Sequence, residues 1–181
     1  KDLFTLVQET KKITFTETMK YLHNLLGLKY TFKKEEPKMT MYATDISETA
    51  LEVAKQNAKN NDSQVTFLQG DMLQPLIERG LKFDILVSNP PYIPDDEYVE
   101  DIVRNNEPHV ALFGGSDGLK YYREIFENAH KILNDNAMMA FEIGYNQKES
   151  LTALALSYFK DAKVEVLKDI NGKNRMMFVK M

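Results

Sequence analysis

Five consecutive residues, Ser88-Asn89-Pro90-Pro91-Tyr92, carry the clearest chemistry in this 181-residue chain. A planar amide or aromatic amine is a poor nucleophile, because its nitrogen lone pair is delocalised. Gripping such a group calls for two acceptors that take both hydrogens of its NH₂. The Asn89 side-chain oxygen and the Pro90 carbonyl can form that pair, on a backbone stiffened by two prolines that each fix φ. Tyr92 can stack on the planar group and exclude water. An electrophile approached in line then needs positioning and dipoles more than a strong base. Asn89, Pro90 and Tyr92 are the candidate catalytic residues. Asn89, Pro90, Pro91 and Tyr92 are the candidate substrate-binding set.

Two aspartates offer a complementary function. Asp45 follows a β-prone run and precedes a helix, where a carboxylate can accept hydrogen bonds from both hydroxyls of a ribose. Asp71 repeats that placement one strand later, and with the next backbone N–H it could contact an adenine edge. Ile46 and Met72, the residues after these acids, complete the candidate cofactor-binding group with Asp45, Asp71 and Asn89. Either acid alone reads equally as a helix cap or a solvated side chain. Together with Asn89 they are expected to line one crevice at the carboxyl ends of successive strands, where open α/β sheets bind ligands. That grouping suits a nucleoside-bearing sulfonium methyl donor.

The elements that must position these residues can be read from periodicity. Met39–Thr44 reads as a strand, and Ser47 as the N-cap of a helix reaching about Asn60, with Ala50, Leu51, Ala54 and Ala58 inward. Val65–Leu68 is the next strand, and Leu73–Glu78 a short helix with Pro75 in its first turn. Phe83–Val87 reads as a buried parallel strand that the two prolines stop. An irregular acidic stretch follows, with Asp95-Asp96-Glu97 and Glu100-Asp101. Gly114–Gly118 punctuates the chain, and Asp117 can cap a helix over Leu119–Leu133 with Tyr122, Ile125, Phe126, Ala129 and Leu133 on one stripe. Ala137–Phe141 is a strand and Gln147–Tyr158 a helix. The strands Lys163–Leu167 and Met176–Val179 flank an Asn171-Gly172 turn and should pair antiparallel. Residues 1–34 read as partly helical, with a β-prone break at Ile13–Thr16.

Alternating strands and helices predict an α/β fold with right-handed crossovers. A mostly parallel sheet with an antiparallel C-terminal hairpin and helices on both faces is the layout of the Rossmann-like class I methyltransferases. Composition sets the limits. The chain is 43% hydrophobic and 28% charged, with a net charge of −4 and no cysteine. No disulfide or thiolate metal site is available, and His23, His109 and His130 lack metal-ligand spacing. The charge gives no footprint for a nucleic-acid backbone. No membrane-spanning run occurs, and Lys1-Asp2-Leu3-Phe4 lacks signal-peptide design, so a cytoplasmic location is expected.

From Met39 to Lys180 the chain resembles the glutamine methyltransferases that modify peptide chain release factors. The resemblance is carried by Ala43-Thr44-Asp45-Ile46-Ser47, by Ser88–Ile93, and by Asn106-Glu107-Pro108. It continues through Ala111–Leu119, Phe141-Glu142-Ile143-Gly144 with Gln147, and the turn from Asp169 to Arg175. The Asn-Pro-Pro-Tyr element alone is shared with methylases of nucleic-acid amines, whereas the flanking segments point to the glutamine branch. The resemblance implies that Asn89 and Pro90 hold a glutamine amide, Tyr92 packs against it, and Asp45 and Asp71 hold S-adenosylmethionine. The implied substrate is the Gly-Gly-Gln motif of a release factor. Residues Glu107 to Gly118 are carried over only as pattern positions, equally readable as loop architecture.

One family element is missing. An acid-x-Gly-x-Gly loop after a strand should precede Asp45, yet between Met19 and Asp45 the only glycine is Gly27. The sequence predicts a methyltransferase domain over 16–181, with the glycine-loop segment absent near 26–27 and a gap at the centre of the sheet. Residues 1–15 are expected to be a remnant of an N-terminal docking region. Two other readings stay open: methylation of nucleic-acid bases or of a ribosomal-protein glutamine, and a non-catalytic binding module.

Overall fold

The computed structural model describes residues 39–181. The boundary at 15/16, the junction at 26/27 and the helices expected in residues 1–34 lie outside them. The described chain divides into two compact units, one ending at Lys82 and one running from Phe83 to Met181.

The first unit is a β-α-β-α segment. β1 (Tyr42–Asp45) pairs in parallel with β2 (Thr66–Gln69), and α1 (Glu48–Asn60) connects them. Ser47 caps α1 as expected, its hydroxyl accepting from the Ala50 N–H at 3.2 Å. Leu51 is buried and Ala54 and Ala58 are half-buried, but Ala50 is exposed. It lies in the first turn, at the rim of the stripe that Leu51, Ala54 and Ala58 define. α2 (Gln74–Ile77) carries Pro75 in its first turn, where a missing N–H costs no helical bond.

The second unit is built on a four-stranded sheet of order β3-β4-β6-β5. β3 (Phe83–Ser88) pairs in parallel with β4 (Leu133–Glu142). β6 (Asn174–Lys180) lies antiparallel between β4 and β5 (Lys163–Lys168), as the Asn171-Gly172 turn predicts. The described strands thus form two sheets rather than one. Among the described residues, β1 and β3 each have a strand neighbour on one side only.

That edge position corrects the reading of Phe83–Val87 as fully buried. Asp84 and Val87 are exposed, and the remaining residues of β3 are half-buried. Full burial belongs instead to β4, where every residue from Ala137 to Phe141 is inaccessible to solvent, as expected of a central strand covered on both faces. β4 also starts earlier than its apolar run, at Leu133 opposite Phe83. The pairing is irregular there, and Asn136 has a φ of +61°.

α5 (Lys120–Ile132) buries Tyr122, Ile125, Phe126, Ala129 and Ile132. Tyr122 and Phe126 meet Phe141 edge-on at centroid distances of 5.7 and 5.5 Å. α6 (Lys148–Tyr158) adds Leu151 and Ala155 to the same core. The acidic stretch after the prolines contains two short helices, α3 (Asp101–Asn106) and α4 (His109–Leu112), which periodicity did not reveal. All of residues 100–111 are exposed, so no apolar stripe marks them. No helix among the described residues is long and apolar enough to cross a membrane.

Candidate active site

β3 delivers Asn89 and Pro90 at its carboxyl end, beside the buried β4. The Val87↔Ala140 and Ser88↔Phe141 register fixes the height at which the chain leaves the sheet. Asn89 is exposed, Pro90 is buried, and Pro91 and Tyr92 are half-buried. The loop is then clamped from behind. The Ile93 N–H donates to the Leu112 carbonyl at 3.0 Å, and the Gly114 N–H donates to the Ile93 carbonyl at 2.8 Å. The Asp95 N–H donates to the Gly115 carbonyl at 3.1 Å.

The glycine segment explains itself at this clamp. A Cβ on Gly114 would stand 2.5 Å from the Pro91 carbonyl oxygen and 3.0 Å from Tyr92 Cα. Gly118, at a φ of +70°, has the Tyr92 carbonyl and the Gln147 side chain in the same position. Asp117 holds the start of α5, accepting from the Leu119 N–H at 3.0 Å. It also pairs with Arg123, which holds its carboxyl below the usual carboxylate range. These residues are loop architecture, and they shape the loop that presents Asn89.

Two buried polar links complete the rear of the site. Gln147, only 6% exposed, donates from Nε2 to the Tyr92 carbonyl at 3.0 Å and the Gly118 carbonyl at 3.3 Å. Its Oε1 accepts from the Gly144 N–H at 2.9 Å. The Tyr92 hydroxyl donates to Glu142 Oε1 at 3.2 Å and accepts from Arg175 Nη1 at 3.2 Å. The Tyr122 hydroxyl donates to the Glu142 carbonyl at 2.6 Å, and Arg175 Nη1 also reaches the Ile143 carbonyl at 3.3 Å.

Tyr92 is thus tied down at both hydroxyl and carbonyl, and the Pro91 carbonyl oxygen is backed against Gly114. Among the described residues, neither the Asn89 side-chain oxygen nor the Pro90 carbonyl has a hydrogen-bond partner.

Burial, and then the Glu142 carboxylate, push the Tyr92 hydroxyl above its ordinary pKa, while Arg175 opposes them. A folded-state pKa above the unfolded value means that the contribution to stability is full below about pH 10 and is lost as pH rises through the folded value. Tyr92→Phe is expected to cost about 1–2 kcal/mol in urea unfolding at neutral pH. It should also flatten the fall in stability above about pH 10 relative to the wild type. Equal alkaline slopes would contradict this account of Tyr92.

The other candidate residues fall in the first unit, and the structure brings them together there. Asp45 and Gln69 are opposite one another at the ends of β1 and β2, and the Gly70 N–H donates to the Asp45 carbonyl at 3.0 Å. Asp45 Oδ1 accepts from the Ser47 N–H at 2.8 Å, which fixes the carboxylate just outside the strand end. Asp71 is exposed, and Met72 adopts a φ of +45° with its carbonyl held by Thr44 Oγ1 at 2.9 Å. Ile46 is 62% exposed beside Asp45. Two carboxylates, an exposed aliphatic face and turning backbone at adjacent strand ends fit a nucleoside: hydroxyls to the acids, a base to the apolar surface. As read from the sequence, Asp45 ends β1 and Asp71 follows the end of β2. Sequence reasoning missed Gln147, Glu142 and Arg175 as structural partners of Tyr92, and only their positions in the family pattern marked them.

Residues 26–109 match the family model for the methyltransferase small domain. A release factor glutamine methyltransferase of Bacillus anthracis is 43% identical over 157 residues, covering 86% of this chain and 56% of that protein. The Bacillus subtilis enzyme of the same name is 46% identical over 147 residues, covering 80% of this chain and 51% of its own length. The chain therefore spans about half the length of these curated relatives. Among solved structures, a methyltransferase from Pyrococcus furiosus superposes with a TM-score of 0.53 at 17% identity, over 91% of this chain and 68% of that one. The fold is that of a Rossmann-like methyltransferase, and over most of its length the sequence matches the release factor glutamine methyltransferases.

Proposed function

We propose that the protein transfers a methyl group from S-adenosylmethionine to the side-chain amide nitrogen of a glutamine in peptide chain release factors. One observation carries the reading: the Asn89 side-chain oxygen and the Pro90 carbonyl, at the carboxyl end of β3, stay unpaired among the described residues, while the loop behind them is held through the Tyr92 hydroxyl and carbonyl. Two adjacent acceptors can take both N–H bonds of a primary amide. The grip orients the nitrogen and favours lone-pair density on it, and a pre-positioned pair needs no reorganisation during the reaction.

When bound, S-adenosylmethionine supplies an electrophilic methyl on a sulfonium centre. Asp45 accepts from the ribose hydroxyls with the oxygen that the Ser47 turn does not use, and Asp71 with Met72 holds the adenine. Asp45→Asn is expected to weaken S-adenosylmethionine binding roughly 10- to 100-fold, as a charge-assisted hydrogen bond becomes a neutral one. Calorimetry on the full-length protein reads this directly, and unchanged affinity would remove Asp45 from the site.

The acidic excursion favours a protein over a nucleic acid as substrate. Asp95, Asp96, Glu97, Glu100 and Asp101 are all exposed just beyond Tyr92 and would repel a phosphate backbone. The reading places the protein in the cytoplasm, with release factors as partners and no direct contact with nucleic acid or membrane. The test is methyl incorporation by the full-length protein into a release factor, a ribosomal protein and an oligonucleotide, located by mass spectrometry. Transfer to the release-factor glutamine supports the proposal. Transfer to the oligonucleotide alone refutes it, and failure to bind S-adenosylmethionine would indicate a non-catalytic module.

A further inference from the structure

Three consecutive carbonyls, those of Pro90, Pro91 and Tyr92, follow Asn89, and the backbone conformation of the loop decides which of them faces a substrate amide. A substrate amide held by the wrong pair would present its nitrogen in the wrong place. The structure sets the other two, those of Pro91 and Tyr92, against the body of the domain. The Pro91 carbonyl oxygen packs so closely on Gly114 that a Cβ there would stand 2.5 Å away. The Tyr92 carbonyl is taken by Gln147 Nε2 at 3.0 Å.

Gln147 is suited to that task. It is buried at the start of α6, its second Nε2 contact goes to Gly118, and its Oε1 is satisfied by the Gly144 N–H. One side-chain amide thus ties three chain segments together with every polar atom matched.

We infer that Gln147 is a positioning residue that sets the acceptor register of the loop, occupying the Tyr92 carbonyl so that the substrate amide is received only by Asn89 and Pro90. The inference rests on the amide-gripping function proposed above. It makes Gln147 a determinant of turnover rather than of cofactor binding, since none of its partners belongs to the Asp45 and Asp71 group.

The chemistry of the donor distinguishes this role from simple packing. Gln147→Met keeps the length of the side chain and removes both donors, so the Tyr92 carbonyl is released. Gln147→Glu keeps the shape but sets a carboxylate against two carbonyl oxygens. Once protonated, the introduced carboxyl can donate to the Tyr92 carbonyl and still accept from Gly144. A carboxyl buried among carbonyl oxygens protonates well above the usual range, so acidification should restore the wild-type pattern.

The experiment measures kcat for methyl transfer to a release factor from about pH 6 to pH 8.5, in the range where a raised carboxyl titrates, with S-adenosylmethionine saturating. Gln147→Met is expected to lose at least about tenfold in kcat at every pH, the cost of a mispositioned reacting group. Gln147→Glu should show a similar loss at about pH 8 and recover several-fold relative to wild type by about pH 6. S-adenosylmethionine affinity, measured by calorimetry, should be unchanged in both, and near-UV circular dichroism checks folding. A folded Gln147→Met variant with wild-type kcat overturns the inference, as does a Gln147→Glu to wild-type ratio that is flat with pH. Failure of both variants to fold would assign Gln147 to stability alone and also overturn it. A wild-type protein inert toward the release factor would refute the functional proposal itself.

Discussion

Asn89→Ala is expected to lower kcat for methyl transfer by roughly 10²- to 10³-fold, the range seen when one preorganised electrostatic partner is removed, while S-adenosylmethionine still binds. The substitution deletes one of the two acceptors proposed to grip the amide. The Pro90 carbonyl alone holds one N–H, leaving the amide free to rotate about that bond and its nitrogen unaligned. Because Asn89 is exposed and its side chain has no hydrogen-bond partner among the described residues, truncation breaks no internal bond. Surface truncations of this kind change stability by less than about 0.5 kcal/mol. The prediction therefore separates chemistry from folding cleanly. Single-turnover kinetics with the cofactor pre-bound give the answer, and a fully active variant would eliminate the amide-gripping role.

Gly118→Ala should act through the opposite route, with a large loss of stability that carries activity down with it. Gly118 sits at a φ of +70°, and its missing Cβ would fall on the Tyr92 carbonyl and 2.7 Å from Gln147 Nε2. Gly172 is the matched control: its φ is +76°, and an added Cβ would meet nothing within 4 Å. Gly172→Ala should cost about 1–2 kcal/mol, the price of a left-handed backbone for an ordinary residue. Gly118→Ala adds overpacking against backbone, for a total of roughly 3 kcal/mol or more. Urea midpoints for the two variants measure the difference, and equal midpoints would show that the loop yields freely. The wild-type arrangement behind Tyr92 would then not be rigid enough to hold the acceptors in register.

The sequence made the loop legible and its support illegible, for a physical reason. Asn89 to Tyr92 are contiguous, so their chemistry could be argued from four residues in a row. Asp45 and Asp71 were found because each follows a strand and precedes a helix, a local pattern. The support is non-local: Arg175 reaches Tyr92 across 83 residues and Gln147 reaches it across 55, and no periodicity encodes such pairings. The terminal hairpin was predictable from Asn171-Gly172 and two short strands. The helices of the acidic excursion were not, because α3 is exposed throughout and α4 is a single turn, so neither carries an apolar stripe. β3 misled in the other direction. Its Ile-Leu-Val composition suits burial on both faces, whereas among the described residues it has a single strand neighbour.

The clamp formed by Ile93 with Leu112 and Gly114 has a consequence for how this region can vary. It closes the excursion at its base, so residues 95–111 hang from the domain as a tethered loop. Lengthening a loop whose ends are already joined costs only about 0.6 kcal/mol per doubling. Insertions, deletions or exchanged surface residues there are insulated from Asn89 and Pro90. Rewriting the excursion should therefore leave the arrangement of Asn89 and Pro90 unaltered.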